Sequence, residues 1–286
     1  MLSSVLCGDV LDVLSKLERG SVQMVITSPP YYNAREEIAS FESPEEYVEF
    51  LAEVFSSIRY VLSLGGRVAV NLADYGRYIP FTDMLNMRML EMGYAQRGRI
   101  IWDKGASVGG STAWGSWMSP SNPTLRDVHE TILVYHLGDP RRRPVDSGSA
   151  STIGRDEFME YTKSVWSMQT ESAKRIGHPT PFPLELPYRL IQLYTYTGDV
   201  VLDPFCGSGT TLCAAKALGR HHVGIEVKEE FCDLARKRLE GFKWEEWLRK
   251  DGNPFRSRTV LSDDPLDEVK DRDGSEDHDR DLDKVE

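Results

Sequence analysis

Two short stretches of the chain carry residue types that could do chemistry together. The first is Asp203-Pro-Phe-Cys-Gly-Ser-Gly-Thr-Thr211, which follows the apolar run Val200–Leu202. Glycines between a strand and a helix let the backbone turn sharply and approach a ligand closely. Glu226 ends the next strand-like run, seventeen residues after Gly209, where a carboxylate can hold ribose hydroxyls. This pattern predicts a site for a nucleoside-bearing cofactor.

The second stretch is Ser28-Pro-Pro-Tyr31, which follows the apolar run Val22–Ile26. Two successive prolines remove backbone N–H donors and fix φ, so the turn presents carbonyl oxygens in a stiff frame that can accept hydrogen bonds from an amino group. The ring of Tyr31 could stack on a planar base. Alone, the stretch is more typical of a proline-stiffened loop with a packed tyrosine, but its pairing with the glycine turn favours a base-binding turn. Since ligands of open α/β sheets gather beyond the carboxyl ends of the strands, we expect both stretches to line one cleft.

These two turns can meet only if a sheet places the ends of their strands side by side. The rest of the chain is predicted to alternate between strands and helices. Such alternation predicts an α/β fold with a mostly parallel sheet covered by helices on both faces. Predicted strands cover Ser4–Cys7, Val22–Ile26, Arg67–Leu72, Gly98–Trp102, Thr131–Tyr135, Ser164–Trp166, Val200–Leu202 and His222–Ile225. Predicted helices cover Val10–Leu17, Pro44–Leu62, Phe81–Met92, Leu184–Tyr196, Leu212–Leu218 and Glu229–Leu239.

Composition limits the class of protein. With 286 residues, 40% of them hydrophobic, the chain can bury one sizeable α/β core. It has no apolar run of about 20 residues that could span a membrane, and its first residues do not suggest a signal peptide. The four cysteines form no Cys-x-x-Cys pair. We therefore expect a cytoplasmic protein with reduced thiols and without a structural metal.

The net charge of −11 is unevenly distributed. Residues 263–286 hold 12 acidic and 4 basic residues, a net of −8, which leaves −3 for the preceding 262. A segment so charged and so poor in apolar residues is expected to be a disordered tail, which solubilises the chain or mimics a nucleic acid. The nearly neutral body neither supports nor excludes DNA binding. We predict one catalytic domain over residues 1–260, followed by the acidic tail 261–286.

Thr27-Ser-Pro-Pro-Tyr31 and Asp203–Thr211 together resemble the motifs of the S-adenosylmethionine-dependent DNA methyltransferases that modify exocyclic amines. The catalytic motif precedes the cofactor motif, as in the circularly permuted β group of that family. Gly8-Asp9, His178–Pro183 and Glu226 support the resemblance, which covers roughly residues 4–240. It implies a Rossmann-like methyltransferase sheet and S-adenosylmethionine as the cofactor.

The resemblance also implies roles for individual residues. Ser28, Pro29, Pro30 and Tyr31 would hold the target base. Glu226 would take the ribose hydroxyls, and Asp9 the adenine amino group. The remaining cofactor contacts would come from Thr27, Pro181, Phe182, Asp203, Pro204, Phe205, Gly207, Ser208, Gly209, Thr210 and Thr211.

Methyl transfer to an amine needs no covalent nucleophile. Hydrogen bonds from the amine to the Ser28 side chain and the Pro29 carbonyl would direct the nitrogen lone pair toward the methyl group. The base must first leave the helical stack. Ring-carbon methylation would need a thiolate, and no cysteine follows a proline here. In the resembled family, a serine before Pro-Pro usually accompanies cytosine N4 methylation, so Ser28 favours cytosine, with adenine N6 as the alternative.

The recognition surface is predicted from two irregular segments, 103–127 and 138–176. Candidate DNA contacts are Lys104, Trp114, Trp117, Arg126, Arg141, Arg142 and Arg143. A lid over the cofactor is an equal alternative for the first segment, and a solvated loop for the arginines. The expected partner is double-stranded DNA, with a homodimer and a separately encoded restriction endonuclease as further candidates.

Other classes of protein share part of the pattern. A nicotinamide dehydrogenase would have the glycine turn and the ribose carboxylate, but Leu212 stands where its third glycine would be, and Ser28–Tyr31 would have no role. A P-loop ATPase is disfavoured because Gly-x-x-x-x-Gly-Lys-Ser/Thr is absent. A methyltransferase for RNA or protein, and a non-catalytic DNA-binding module, remain open at this stage.

Overall fold

A computed structural model describes residues 3–32, 41–74, 79–105, 115–125, 128–171, 176 and 182–248. Residues 1–242 belong to one compact unit and residues 243–286 to a second. Within the second unit, the described part is the short helix α8 (Trp244–Leu248), in which the rings of Trp244 and Trp247 stack. The predicted acidic tail lies outside the described residues.

The first unit is built on an eight-stranded sheet in the order β1-β8-β7-β2-β3-β5-β4-β6. All neighbouring strands pair in parallel except β5, which is antiparallel to both β3 and β4. The mostly parallel sheet predicted from the sequence is therefore confirmed. The strands are β1 (Ser4–Cys7), β2 (Val22–Thr27), β3 (Leu62–Leu72), β4 (Ala95–Asp103), β5 (His129–His136), β6 (Val165–Ser167), β7 (Val200–Asp203) and β8 (His221–Glu226).

Seven helices of the described part of this unit accompany the sheet. They are α1 (Val10–Leu14), α2 (Pro44–Val61), α3 (Phe81–Glu91), α4 (Arg155–Tyr161), α5 (Glu185–Tyr194), α6 (Thr210–Ala217) and α7 (Glu229–Gly241). α2 begins as its sequence predicts: the Ser43 hydroxyl accepts a hydrogen bond from the backbone of Glu46, and Pro44 takes the first helical position. None of the described helices is both long and apolar enough to cross a bilayer.

Both faces of the central strands are buried, as expected for parallel strands between helical layers. Successive strand residues point to opposite faces. Alternate residues of β3, β5 and β7, such as Val68, Leu133 and Leu202, pack in one apolar cluster with α1, α2 and α3. Their neighbours Ala69 and Ile132 are buried as well, on the other face. There α5 packs against β2 and α6 against β7.

Two elements differ from the sequence-based expectation. The Gly65-Gly66 pair was expected to separate α2 from a strand at Arg67, but β3 begins at Leu62 and continues through both glycines. Gly65 has φ 72° and its N–H donates to the carbonyl of Leu137, so the glycines kink a strand that remains paired. Helix α4 was not predicted, because its seven residues are too few to show a helical period.

Candidate active site

Four neighbouring strands carry the predicted site residues at their carboxyl ends. β1, β8, β7 and β2 are adjacent and parallel, so their ends share one edge of the sheet. Asp9 follows β1, Glu226 ends β8, Asp203 ends β7 and Ser28 follows β2. The N–H of Gly8 donates to the carbonyl of Glu226 at 2.9 Å, which ties the first two ends together. The sheet order thus brings together residues that are about 175 positions apart in sequence.

A cavity of about 340 Å³ opens along this edge. A volume of this size suits a small-molecule ligand. Predicted residues from both motifs line the same cavity, namely Asp9, Ser28, Pro29, Pro30, Phe182, Pro204, Phe205, Gly207, Ser208, Thr210 and Glu226. The Ser-Pro-Pro turn and the glycine turn therefore face one space.

The glycine turn needs its glycines for two separate reasons. Gly207 and Gly209 have φ of 48° and 77°, in the left-handed region that side chains rarely adopt. A Cβ on Gly209 would also lie 3.0 Å from the Cβ of Ala235 in α7. Gly209 is thus the residue that lets α7 pack closely against the start of α6. The turn is shaped by packing behind it as well as by the cavity in front.

Glu226 is held by backbone donors on both sides. Its Oε2 accepts a hydrogen bond from Gly207 N at 3.0 Å, and its Oε1 accepts one from Lys228 N at 2.9 Å. Each carboxylate oxygen keeps a further lone pair for a ligand hydroxyl. Asp9 uses Oδ1 to cap α1 through Leu11 N and Asp12 N. Both carboxylates are fixed in orientation at the cavity wall before a ligand binds.

Asp203 is the floor of the turn and is absent from the cavity wall. It is fully buried, its Oδ1 accepts from Phe205 N at 3.1 Å, and its Oδ2 accepts from the Thr211 hydroxyl at 2.7 Å. Burial raises the pKa of Asp203 to about 6, although the Thr211 hydroxyl and the Phe205 N–H favour the charged form. Asp203 and Thr211 therefore organise the glycine turn from within and do not themselves face the cavity.

The raised pKa of Asp203 predicts a pH dependence of stability. Between about pH 4 and 6, folded Asp203 holds a proton that the unfolded chain has released, so its contribution to stability grows as pH falls. From pH 7 to 4.5, we expect wild type to gain about 2 kcal/mol in free energy of unfolding relative to Asp203→Asn, which does not titrate. Urea unfolding of both proteins at each pH measures this difference. Parallel pH profiles would contradict the assignment.

Four residues that no sequence motif predicts complete the cavity and support its wall. The aromatic rings of the cavity wall include those of Phe41, Phe50 and Phe231. The ring centroids of Phe50 and Phe205 lie 6.1 Å apart. Arg238 of α7 donates to the carbonyl and hydroxyl of Ser208, each at 2.6 Å, and so braces the glycine turn from behind. No motif marks these positions, since aromatic or basic residues on a helix, such as Phe50, Phe231 and Arg238, or just before one, such as Phe41, are ordinary in any α/β protein.

Tyr31 was expected to line the cleft but is not on the cavity wall, and its hydroxyl reaches a polar cluster at the neighbouring strand ends. Its hydroxyl donates to Glu130 Oε1 at 2.8 Å. The other Glu130 oxygen accepts from Asn71 Nδ2, which also lies 3.4 Å from the Ser28 hydroxyl oxygen. Lys104 Nζ is 2.5 Å from Glu130 Oε1. The polar cluster of Ser28, Tyr31, Asn71, Lys104 and Glu130 therefore borders the Ser-Pro-Pro turn.

Several predicted residues lie elsewhere. Thr27 and Gly209 are not on the cavity wall, and Thr27 is 1% exposed. Pro181, Trp114 and Arg126 lie outside the described residues. Trp117 is 68% exposed on the segment 115–125, whose backbone closes on itself through a bridge between Gly115 and Pro123. Arg141 and Arg143 are exposed.

Arg142 is a correction to the predicted DNA contacts. Its guanidinium lies 2.8 Å from the Asp199 carboxylate and donates to the carbonyl of Tyr194, and the side chain is only 6% exposed. Asp199 immediately precedes β7, at the edge of the sheet opposite the cavity. Because this guanidinium is buried in an ion pair with Asp199, it cannot contact a DNA phosphate. Arg142 is an internal structural cation.

We expect Arg142→Met to act on stability alone. Removing one partner leaves the buried Asp199 charge uncompensated, which costs about 3–5 kcal/mol of unfolding free energy. Arg143→Met, a neighbouring exposed arginine, is the matched control and should change stability by about 0.5 kcal/mol or less. Chemical denaturation measures both. Unchanged stability together with weakened DNA binding in Arg142→Met would restore the phosphate role.

Comparison with known proteins agrees with the site. The family model of N6_N4_Mtase, described as DNA methylase, matches residues 22–237, which include both motifs. The chain belongs to this DNA methylase family. The type II methyltransferase M.MthZI of Methanothermobacter thermautotrophicus is 30% identical over 261 residues, covering 79% of this chain and 73% of the relative. M.Cfr9I of Citrobacter freundii is 28% identical over 271 residues, covering 82% and 86%.

Two solved structures have a similar fold, and one of them was crystallised with S-adenosyl-L-methionine. TTHA0409 of Thermus thermophilus, crystallised with S-adenosyl-L-methionine, has a TM-score of 0.69 and 28% identity, covering 84% of this chain and 97% of that one. The cytosine-N4-specific PvuII DNA methyltransferase has a TM-score of 0.67 at 20% identity, covering 86% and 90%, and supports the fold. This DNA methylase therefore uses S-adenosyl-L-methionine. The cavity of about 340 Å³, with the fixed carboxylate of Glu226 and aromatic walls, has room for a nucleoside.

Proposed function

We propose that this DNA methylase transfers a methyl group to the exocyclic N4 amine of a cytosine that has left the stack of double-stranded DNA. The observation that carries the proposal is the shared cavity, in which Ser28, Pro29 and Pro30 face the residues of the cofactor turn. Adenine N6 is the alternative target. Ser28 favours cytosine because a serine before Pro-Pro usually accompanies N4 methylation in the family.

The cofactor contacts are assigned by position. Glu226 would hold the ribose hydroxyls, and Asp9, at the end of β1, would take the adenine amino group. The glycine turn from Pro204 to Thr210 would enclose the methionine part. Phe182 and Phe205 would cover apolar surface of the cofactor, as the cavity wall suggests.

The protein's part in the reaction is to position an amine and direct its lone pair. The Ser28 hydroxyl and the Pro29 carbonyl accept hydrogen bonds from the two amine hydrogens, which holds the nitrogen opposite the methyl group. Bound S-adenosyl-L-methionine would supply an electrophilic methyl group: the amine nitrogen would attack the methyl carbon in line as the carbon–sulfur bond breaks, the thioether S-adenosyl-L-homocysteine would leave, and one amine proton would pass to solvent. No protein nucleophile is needed: the nearby Cys206 is buried, and burial raises the pKa of its thiol well above the ordinary value.

DNA recognition is proposed for the segment 115–125 and for the arginines Arg141 and Arg143. Trp117 presents a large exposed ring that could fill the space left by the extruded base. Residues 1–262 carry a net charge of only −3. Affinity for phosphates would therefore come from individual cationic side chains and not from the overall charge of the protein. A homodimer and a cognate restriction endonuclease are proposed partners, and the cytoplasm is the proposed location.

Sequencing that detects modified bases tests this proposal directly. The full-length protein is incubated with unmodified DNA of known sequence and S-adenosyl-L-methionine, and the same DNA without cofactor is the control. We expect modification at one base within a recurring sequence. A protein that binds the cofactor but modifies RNA or protein instead of DNA would contradict it.

A further inference from the structure

Glu130 is the only described residue of the polar cluster that touches three of its members. It lies near the start of β5, the reversed strand, so it reaches the edge of the sheet at which β2 and β3 end. Its carboxylate accepts from Tyr31 and Lys104 on one oxygen and from Asn71 on the other. Only 5% of the residue is exposed. Three donors thus surround a carboxylate that is almost fully shielded from solvent.

Glu130 determines which way its neighbours point. An ionised carboxylate only accepts hydrogen bonds, so Asn71 must present its amide nitrogen and not its oxygen to Glu130. The second hydrogen of that nitrogen is then directed to the Ser28 hydroxyl oxygen, 3.4 Å away. Tyr31 likewise must donate its hydroxyl hydrogen. Burial, and then the Glu130 charge, raise the pKa of Tyr31 well above its ordinary value, which keeps that hydrogen in place.

We propose that Glu130 is a positioning residue of the target-base site, which fixes the ring of Tyr31 and, through the Asn71 amide, the hydrogen-bonding direction of the Ser28 hydroxyl. Lys104 is the counter-ion of Glu130 rather than a phosphate contact. With Asn71 donating to Ser28, one lone pair of the serine is left to accept from the target amine. This inference rests on the proposed function.

The substitution Glu130→Gln tests the polarity of the cluster while nearly preserving its shape. A glutamine nitrogen facing Asn71 would favour rotation of that amide, so that its oxygen faces Ser28 and takes the serine hydrogen. We expect the single-turnover rate of methyl transfer to fall about 10²-fold, the effect of a small misplacement at a reacting group. The affinity for S-adenosyl-L-methionine should stay within about 2-fold, because Glu130 does not line the cavity.

A double-mutant cycle with Tyr31→Phe separates positioning from general damage. If Glu130 acts partly through the Tyr31 hydroxyl, the double variant should be about as slow as Glu130→Gln alone, and the two effects should not multiply. Glu157→Gln is the matched control. Glu157 accepts from the hydroxyls of Tyr161 and Tyr188 in the same manner, but outside the cavity wall, so its loss should leave the rate within about 2-fold.

The outcomes are distinct. Wild-type rates for Glu130→Gln, multiplicative effects in the cycle, or an equal loss of rate in Glu157→Gln would overturn the inference while leaving the proposed function intact. If Glu130→Gln does not fold, the charge-balanced pair Glu130→Gln with Lys104→Met takes its place, with the same expected loss. A wild-type protein that transfers no methyl group to DNA would overturn the proposed function and this inference with it.

Discussion

Replacing Ser28 with alanine is expected to lower the single-turnover rate of methyl transfer by about 10²–10³-fold, the loss seen when one positioned hydrogen-bonding group is removed from a reacting centre. Cofactor affinity should change by less than about 3-fold. The cofactor is assigned to the ends of β1, β7 and β8, whereas Ser28 follows β2. Rapid-quench transfer assays and calorimetry with S-adenosyl-L-methionine give the two quantities. Tyr31→Ala should behave in the same way, because it removes the proposed stacking surface for the base and leaves the cofactor side unchanged.

Ser21→Ala is the matched control for Ser28. Ser21 precedes the same strand at its other end, where its hydroxyl donates to the carbonyl of Glu18, and its loss should leave the rate unchanged. A Ser28→Ala protein with normal transfer would remove the serine from the reaction. Loss of cofactor binding in Tyr31→Ala would instead place the tyrosine on the cofactor side.

Glu226→Ala is expected to weaken the binding of S-adenosyl-L-methionine, whereas Ser28→Ala lowers the rate of methyl transfer. The substitution would remove two charge-assisted hydrogen bonds to the ribose, each worth about 1.5–3 kcal/mol. It also leaves Gly207 N and Lys228 N without their acceptors. We expect the dissociation constant for S-adenosyl-L-methionine to rise about 10²–10⁴-fold in calorimetry.

The control for Glu226 is Glu230→Ala, which removes an exposed carboxylate from the first turn of α7. It should bind the cofactor as wild type does. Equal affinity of wild type and Glu226→Ala would mean that the ribose is held elsewhere in the cavity. Circular dichroism of each variant checks that the fold is retained.

The cofactor turn and the Ser-Pro-Pro turn could be found from the sequence because each breaks a buried strand abruptly. Val200–Leu202 and Val22–Ile26 are almost wholly apolar, and glycine or proline follows each within a few residues. Such strands belong in the middle of a parallel sheet, where β7 and β2 do pair. The two turns are therefore close together because β2 and β7 are both buried on both faces of the sheet and pair in its middle.

The polar cluster could not be predicted in the same way. Asn71 and Glu130 lie near the ends of strands that are otherwise mostly apolar, and nothing local shows that β3 and β5 pair. Only the reversal of β5 brings the start of that strand to the edge at which the others end. The aromatic walls from Phe41 and Phe50 depend on tertiary packing as well.

For the arginine run, the sequence predicted a DNA contact at a residue that the structure shows to be buried. Arg141, Arg142 and Arg143 look alike in sequence, and a run of cations after a strand suggests a solvated or phosphate-binding surface. In the structure, Arg141 and Arg143 are exposed, whereas the Arg142 side chain is buried and pairs with Asp199. A three-residue run cannot reveal which member turns inward, because the partner is 57 residues away.

The identity of the methylated nucleoside tests the central claim most directly. DNA incubated with the full-length protein and deuterium-labelled S-adenosyl-L-methionine is digested to nucleosides and analysed by mass spectrometry. Labelled N4-methylcytosine is the predicted product, since Ser28 and the Pro29 carbonyl would hold a cytosine amine opposite the cofactor methyl. Labelled N6-methyladenine, or label in neither nucleoside, would contradict it.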